Sequence, residues 1–98
     1  MSADVQVQHA ELGLDGTFYI ERDGERLAEQ IYRKTKDGKT VIIVHTEVAE
    51  SLRGEGIARK LTLATVAWAR ASGLKIVPVC PFAKAIFDRD PEIQDVLG

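Results

Sequence analysis

The stretch that decides the fold of this chain is Leu52-Arg53-Gly54-Glu55-Gly56-Ile57-Ala58. It follows a strand-like run, Val41 to Val48, and precedes a long amphipathic helix. Two closely spaced glycines let the backbone turn tightly and approach a ligand. The first N–H groups of a helix lack partners within the helix and lie at the positive end of its dipole. The stretch therefore predicts a site for a phosphate or pyrophosphate, with Arg53 as a further cation.

The composition narrows the class of protein. The 98 residues carry a net charge of −2 and predict a single domain, 1–98, with one small pocket. Charges of both signs are mixed along the chain, which argues against a nucleic-acid partner. The apolar runs are too short to span a bilayer and Met1 to Ala10 lacks a signal core, so we expect a cytoplasmic protein and no membrane partner. The lone Cys80 and only two histidines predict neither a disulfide nor a metal site.

The first half of the chain predicts an antiparallel meander. Three Asp-Gly pairs punctuate runs rich in aromatic and β-branched residues and indicate hairpin turns, namely Asp15-Gly16, Asp23-Gly24 and Asp37-Gly38. The predicted strands are Thr17 to Arg22, Arg26 to Lys36 and Lys39 to Val48, with an additional strand around Val5 to His9.

The second half has helical periodicity. Apolar residues recur at steps of four and three and predict one buried helix face, formed by Ile57, Leu61, Ala64, Trp68 and Ala71. Gly73 suits the C-terminal cap of that helix. Lys75 to Val79 predicts a buried strand with Pro78 at a bulge or a sheet edge. A short helix from Pro81 to about Arg89 and a last turn capped by Asp90 follow. The predicted fold class is α/β (α+β), a mainly antiparallel sheet with one long helix and one or two short C-terminal helices.

This order of elements, together with the glycine loop, resembles the GNAT superfamily of acetyl-CoA-dependent N-acetyltransferases. Arg53, Gly56 and Ala58 meet its R/Q-x-x-G-x-G/A signature. The stretches His45 to Val48 and Val79 to Phe82 resemble more particularly the very small single-domain GNAT-like proteins. The likeness runs from roughly Thr17 to the C-terminus.

The resemblance implies a function and a binding mode. The protein would bind CoA or acetyl-CoA and move an acetyl group to an amine, such as that of a lysine or a peptide. The implied CoA-binding residues are Val48, Arg53, Gly54, Glu55, Gly56, Ile57 and Ala58. The pantetheine arm would lie between the strand that ends near Val48 and the strand Lys75 to Val79. Two helices wall the acceptor site of larger members and have no room here, so we expect an open acceptor side that a dimer or another protein could complete.

Cys80 and His45 are the candidate catalytic residues, and each has a second interpretation. A lone cysteine after a buried strand is most often a small hydrophobe, although a thiolate is favoured at the start of a helix. An imidazole can take a thiol proton, yet His45 is equally a structural residue on a strand face predicted to contain Val41, Ile43 and Glu47. The small GNAT-like proteins have a histidine and a cysteine at the matching positions. The resemblance thus implies transfer either directly to the amine or through an acetyl-Cys80 intermediate with His45 as its base.

Phe87 stands where many larger members have a tyrosine that protonates the leaving CoA thiolate. Phenylalanine has no proton to give, so solvent or His45 would have to supply it. Glu47 is a second candidate for the general base. A non-catalytic CoA-binding module that acts with a partner is the alternative function, and a structural domain that binds anions adventitiously is a third.

Overall fold

A five-stranded sheet forms one layer of this computed structural model, which describes residues 6–98. Its strands lie in chain order, namely β1 (Gln8–Leu12), β2 (Asp15–Arg22), β3 (Glu25–Lys34), β4 (Thr40–Val48) and β5 (Lys75–Pro78). The first four pair antiparallel, and β4 and β5 pair parallel. Pro78 therefore ends an edge strand, as predicted.

Two helices form the second layer, α1 (Ile57–Ser72) and α2 (Pro81–Arg89), together with a 3-10 helix at Pro91–Val96. Buried side chains alternate along the strands and face these helices. The core contains Ile20, Ala28, Tyr32, Val41, Ile43, Ile76, Leu61, Val66, Ala69, Ala83 and Phe87. The predicted fold class is confirmed. No helix among residues 6–98 is both long enough and apolar enough to cross a membrane.

The buried face of α1 is rotated from the predicted stripe. Ile57 and Leu61 are buried as expected, but Ala64 and Trp68 are only half-buried and Ala71 is exposed. Two threonines, Thr62 and Thr65, are fully buried instead, because the side chain of Gln30 on the sheet hydrogen-bonds to both. Gly73 caps the helix in the left-handed conformation, as predicted.

Two of the three predicted Asp-Gly turns are present in the structure. Asp23 and Gly24 both have positive φ and connect β2 to β3, and Gly38 has φ 72° in the loop before β4. The predicted turn at Asp15-Gly16 is wrong, because Gly13 and Leu14 make that turn and Gly16 lies within β2. The predicted first strand is shifted to Gln8–Leu12, and Val5 lies outside the described residues.

An aromatic cluster attaches β1 to the core. The His9 ring stacks on Phe18 with centroids 4.0 Å apart, and its Nε2 lies 2.5 Å from the hydroxyl of Tyr32. Trp68 of α1 packs edge-on against His9, with ring centroids 4.8 Å apart. Tyr32 donates a hydrogen bond to Glu11, 2.7 Å away. Burial lowers the pKa of His9, although Glu11 opposes this effect.

We expect the stability of the protein to fall in mild acid because of His9. Its pKa is lower in the folded than in the unfolded protein, so the neutral ring is favoured on folding. That stability is complete above the unfolded pKa of about 6.5 and is lost as the pH falls from there through the folded pKa. Urea unfolding at pH 7.5 and 5.5 should show a smaller difference in His9→Phe than in the wild type. His45→Gln is the matched comparison at the other histidine, which lies on β4 outside the aromatic cluster.

Candidate active site

A cleft forms where β4 and β5 diverge. The parallel pairing joins Thr40–Ile43 to Lys75–Pro78 and ends there. The N–H groups of Val79 and Cys80 both donate to the carbonyl of Ile43, at 3.0 and 2.9 Å, and the chain then turns into α2. β4 continues to Val48 without β5 beside it. The resulting cleft has a volume of about 460 Å³.

The exposed edge of β4 offers backbone groups to this cleft. The N–H of Ala49 donates to Leu27 on β3, and hydrogen-bonded positions alternate along an antiparallel pair. The N–H and C=O groups of Glu47 and His45 therefore point toward β3. Those of Thr46 and Val48 point toward the side from which β5 has departed. An extended ligand could pair with them as a further strand would.

A β-bulge in β4 decides which side chains face the helices. Ile31 pairs with His45 and Tyr32 pairs with Ile43, which leaves Val44 as an extra residue. Val41 and Ile43 are buried, but after the bulge Thr46 is the next buried side chain and His45 and Glu47 are exposed. The prediction that all four alternating residues share one face is therefore wrong beyond Ile43.

The glycine loop leads directly into α1. Gly54 and Gly56 have φ of 86° and 71°, the left-handed region that glycine adopts most readily. Gly56 is the N-cap of α1, with no side-chain capping bond and no acidic residue in the first turn. The first helical bond runs from Lys60 to Gly56, so the N–H groups of Ile57, Ala58 and Arg59 have no partner within the helix.

Two arginines border the loop. Arg53 is exposed, and its Nε donates to the carbonyl of Val48 at 3.4 Å. Arg59 donates to Asp90 at 2.7 Å and so ties the first turn of α1 to the junction after α2. This hydrogen bond lowers the pKa of the Asp90 carboxyl below its usual value. The helix dipole and the exposed guanidinium of Arg53 favour an anion at this end of the cleft, whereas the charge of Arg59 is paired with Asp90.

The predicted CoA-binding residues lie around this cleft, with one exception. The lining consists of His45, Thr46, Glu47, Val48, Leu52, Arg53, Gly54, Gly56, Ile57, Ala58, Arg59 and Phe82. Glu55 is exposed in the loop and does not line the cleft. Thr46, Leu52, Arg59 and Phe82 were not predicted as site residues. Arg59 and Phe82 were detectable, since they follow the glycine loop and Cys80 in the sequence, but Thr46 depends on the bulge.

The structure does not bring the side chains of Cys80 and His45 together. Cys80 is the N-cap residue of α2, is 3% exposed, and its thiol donates to the hydroxyl of Thr46 with Sγ and Oγ1 3.3 Å apart. The His45 ring lies on the opposite side of β4, with Nε2 3.8 Å from a carboxylate oxygen of Glu47. Thr46, between them in sequence, is the side chain that contacts the thiol. Phe87 is buried in the core.

Residues 17–96 match the model of a protein family described as GCN5-related N-acetyl-transferase. The chain belongs to this family. The predicted recognition and enzyme class, a GNAT N-acetyltransferase, are therefore confirmed. No curated protein matches the chain. Among residues 6–98, no group of three or more His, Cys, Asp or Glu side chains is arranged to hold a metal ion.

Two solved structures resemble this GNAT protein, one over most of its own length and one over part of it. A GCN5-like protein from Staphylococcus aureus is 34% identical, with a TM-score of 0.74, and the match covers 99% of this chain and 91% of that one. A ribosomal-protein-alanine N-acetyltransferase from Brucella melitensis biovar Abortus 2308 is 19% identical, with a TM-score of 0.66 over 79% of this chain and 61% of that one.

A third structure, from Clostridium acetobutylicum, was solved with acetyl-CoA. It is 19% identical, with a TM-score of 0.61, and the match covers 78% of this GNAT chain and 56% of that one. This chain thus spans less than two thirds of the two larger relatives, and at these identities the likeness establishes the fold alone.

Proposed function

We propose that this protein binds acetyl-CoA in the cleft between β4 and β5 and transfers the acetyl group to an amine. The observation that carries the proposal is the continuity of the cleft. One end is an uncapped helix N-terminus, and the side wall is an unpaired strand edge. CoA has a matching order of groups, because its diphosphate is followed by a pantetheine arm with two amides.

The diphosphate is assigned to the glycine loop. The free N–H groups of Ile57, Ala58 and Arg59 point out of the first turn of α1, where the helix dipole favours an anion. A Cβ atom at Gly56 or Gly54 would project into open space, so neither glycine packs against another part of the protein. Arg53 can turn from the Val48 carbonyl to a phosphate oxygen, since its 3.4 Å hydrogen bond is long.

The pantetheine arm is assigned to the exposed edge of β4. Its amides would pair with the backbone groups of Thr46 and Val48, in the manner of an added strand. Leu52 and Ile57 give this part of the cleft an apolar wall, and Phe82 extends it toward the start of α2. This placement brings the thioester to the end of the cleft lined by His45 and Thr46.

At the thioester we favour direct attack by the amine. His45 is among the residues that line the cleft, and its exposed ring lies beside Glu47 on the opposite face of β4 from Thr46, so we assign it the proton of an amine that approaches from that face. The route through acetyl-Cys80 is the alternative. It requires the buried thiol to leave Thr46 and reach the cleft, which it does not line. Intact-protein mass spectrometry after mixing with acetyl-CoA distinguishes the two routes, because only the second gives an acetyl adduct that Cys80→Ala abolishes.

The acceptor is proposed to be an accessible amine, such as that of a lysine or a peptide. No helix among residues 6–98 covers the sheet face that bears His45 and Glu47. A site without walls cannot select a small molecule by enclosing it, so selectivity must come from a long acceptor, a second copy of the chain or another protein.

Two measurements in sequence test the proposed function. Calorimetric titration with CoA should show specific binding, and a thiol-release assay with acetyl-CoA and lysine-containing peptides should then show turnover. CoA binding without any amine-dependent thiol release would favour the non-catalytic module. Failure to bind CoA more tightly than inorganic pyrophosphate would contradict the proposal.

Arg53→Ala should weaken CoA binding about tenfold. It removes a charge-assisted contact, whose worth at an exposed site is at the low end of about 1.5 to 3 kcal/mol, but leaves the loop amides in place. Arg33→Ala is the matched control, because this arginine pairs with Asp15 toward the other end of the sheet. The dissociation constant for CoA should be unchanged in the control, and an equal loss in both variants would show that Arg53 acts only through overall charge.

A further inference from the structure

A buried polar cluster lies directly beneath the cleft. Gln30 of β3 is fully buried, and its Nε2 donates to Thr46 at 3.2 Å and to Thr62 at 2.9 Å. The hydroxyl of Thr65 donates to its Oε1 at 2.7 Å. Both N–H donors of the amide are thus engaged by threonine oxygens, and Thr65 shares its one proton between the amide oxygen and the carbonyl of Leu61, 2.9 Å away. One N–H group of Gln30 therefore donates to the hydroxyl oxygen of Thr46.

Thr46 is the one member of this cluster that reaches the cleft. A hydroxyl has two acceptor positions and one proton. The oxygen of Thr46 accepts from Gln30 and from the thiol of Cys80, so both acceptor positions are filled. Among the described residues its own proton has no recorded acceptor, and the cleft is the open direction. Thr46 therefore presents an O–H donor to whatever occupies the reaction end of the cleft.

We propose that Thr46 and Cys80 form a proton relay that protonates the departing CoA sulfur, an inference that rests on the proposed function. Phe87 has no proton to give. The ring of His45 lies on the opposite side of β4 from the thiol of Cys80. The thiol of Cys80 already donates to Thr46. Rotation of the Thr46 hydroxyl would make Thr46 the donor and the Cys80 sulfur the acceptor, without any movement of heavy atoms.

The relay balances as follows. The amine nitrogen forms a bond to the acetyl carbon, the carbon–sulfur bond breaks, and its electron pair goes to the CoA sulfur. The Thr46 proton moves to that sulfur while the Cys80 proton moves to the Thr46 oxygen. The resulting Cys80 thiolate accepts a hydrogen bond from Thr46 at the start of α2. The proton that the amine loses passes to His45 or water, and a solvent proton restores the thiol.

Three variants test the relay. Thr46→Val removes the hydroxyl at nearly constant volume, Thr46→Ser keeps it, and Cys80→Ala removes the proton source. We expect Thr46→Val and Cys80→Ala to lower kcat about tenfold or more, the low side of what general acids contribute, while Thr46→Ser stays close to wild type. The double variant should be no slower than the slower single variant, because the two residues act in one step. The solvent deuterium isotope effect on kcat should shrink in both single variants, which a structural role would not cause.

A binding measurement separates the relay from the overall reaction. The wild type and Thr46→Ser should bind CoA about threefold to tenfold more tightly than desulfo-CoA, as one hydrogen bond to sulfur allows, and Thr46→Val should lose this difference. If Thr46→Val does not fold, Cys80→Ala carries the rate and isotope tests. Absence of CoA binding would overturn the proposed function and the relay together. Normal CoA binding and turnover with unchanged kcat in Cys80→Ala, or an acetyl-Cys80 that transfers its acetyl group to the amine, would overturn the relay alone.

Discussion

Gly56→Val should raise the dissociation constant for CoA about a hundredfold, equivalent to about 2.7 kcal/mol. The new side chain would stand at the N-cap of α1, beside the first amides, where the diphosphate is assigned. A β-branched residue also resists the positive φ of 71° and would displace these amides. Isothermal titration of CoA measures the effect.

The chain contains its own control for this experiment. Gly73 ends the same helix with φ 71° and ψ 28°, against φ 71° and ψ 26° at Gly56, and it too has open space at the Cβ position. Gly56→Val and Gly73→Val should therefore lose about the same free energy of unfolding, about 1 to 2 kcal/mol. Only the first should lose CoA affinity. Equal CoA affinity in the wild type and Gly56→Val would contradict the assignment of the loop.

Gly16→Ala should lower the free energy of unfolding by about 3 kcal/mol, near the top of the range for overpacking. A Cβ atom at position 16 would fall on the phenol ring of Tyr32, its partner across the strands. Tyr32 cannot move aside, because it is fully buried and its hydroxyl bonds to His9 and Glu11. Such a loss is a large share of the stability of a domain of this size. Urea unfolding monitored by Trp68 fluorescence measures it.

Two further variants isolate the steric cause. Gly38→Ala introduces a methyl group where no atom lies within 4 Å, so it should lose only the cost of its positive φ, about 1 kcal/mol. Tyr32→Leu removes the clashing atoms, so Gly16→Ala/Tyr32→Leu should be more stable than the sum of the two single losses predicts. Strict additivity would show that the ring of Tyr32 is not the cause.

The part of the site that follows from local rules could be predicted from the sequence. Gly54 and Gly56 have the positive φ that glycine permits, the helix begins at Ile57, and Gly73 ends it. These features depend on residues adjacent in the chain. The fold class was likewise legible from the change of period between the two halves.

The reaction end of the cleft could not be predicted in the same way. The bulge at Val44 arises from the pairing of β4 with β3, and it exchanges the faces on which His45 and Thr46 lie. Gly16 looked like a turn residue, but its requirement for glycine comes from Tyr32, sixteen positions later. Gln30 carried no sequence signal, because its partners Thr46, Thr62 and Thr65 meet it only in the folded protein. Roles for Cys80 and His45 stay predictions.

The short parallel pairing between β4 and β5 divides the protein into two units that differ in local stability. β1 to β4 are joined to neighbours in sequence, whereas β5 and α2 connect to that meander through four residue pairs and the packing of the helices. Parts held by so few strand pairings open locally while the rest stays folded. A molecule in the cleft would contact both the edge of β4 and Phe82 of α2 and would hold the two units together. We expect amide hydrogen exchange to slow in β5 and α2 when CoA binds, and to stay unchanged in the β2–β3 hairpin. The co-substrate would then determine how often the C-terminal part of the protein opens.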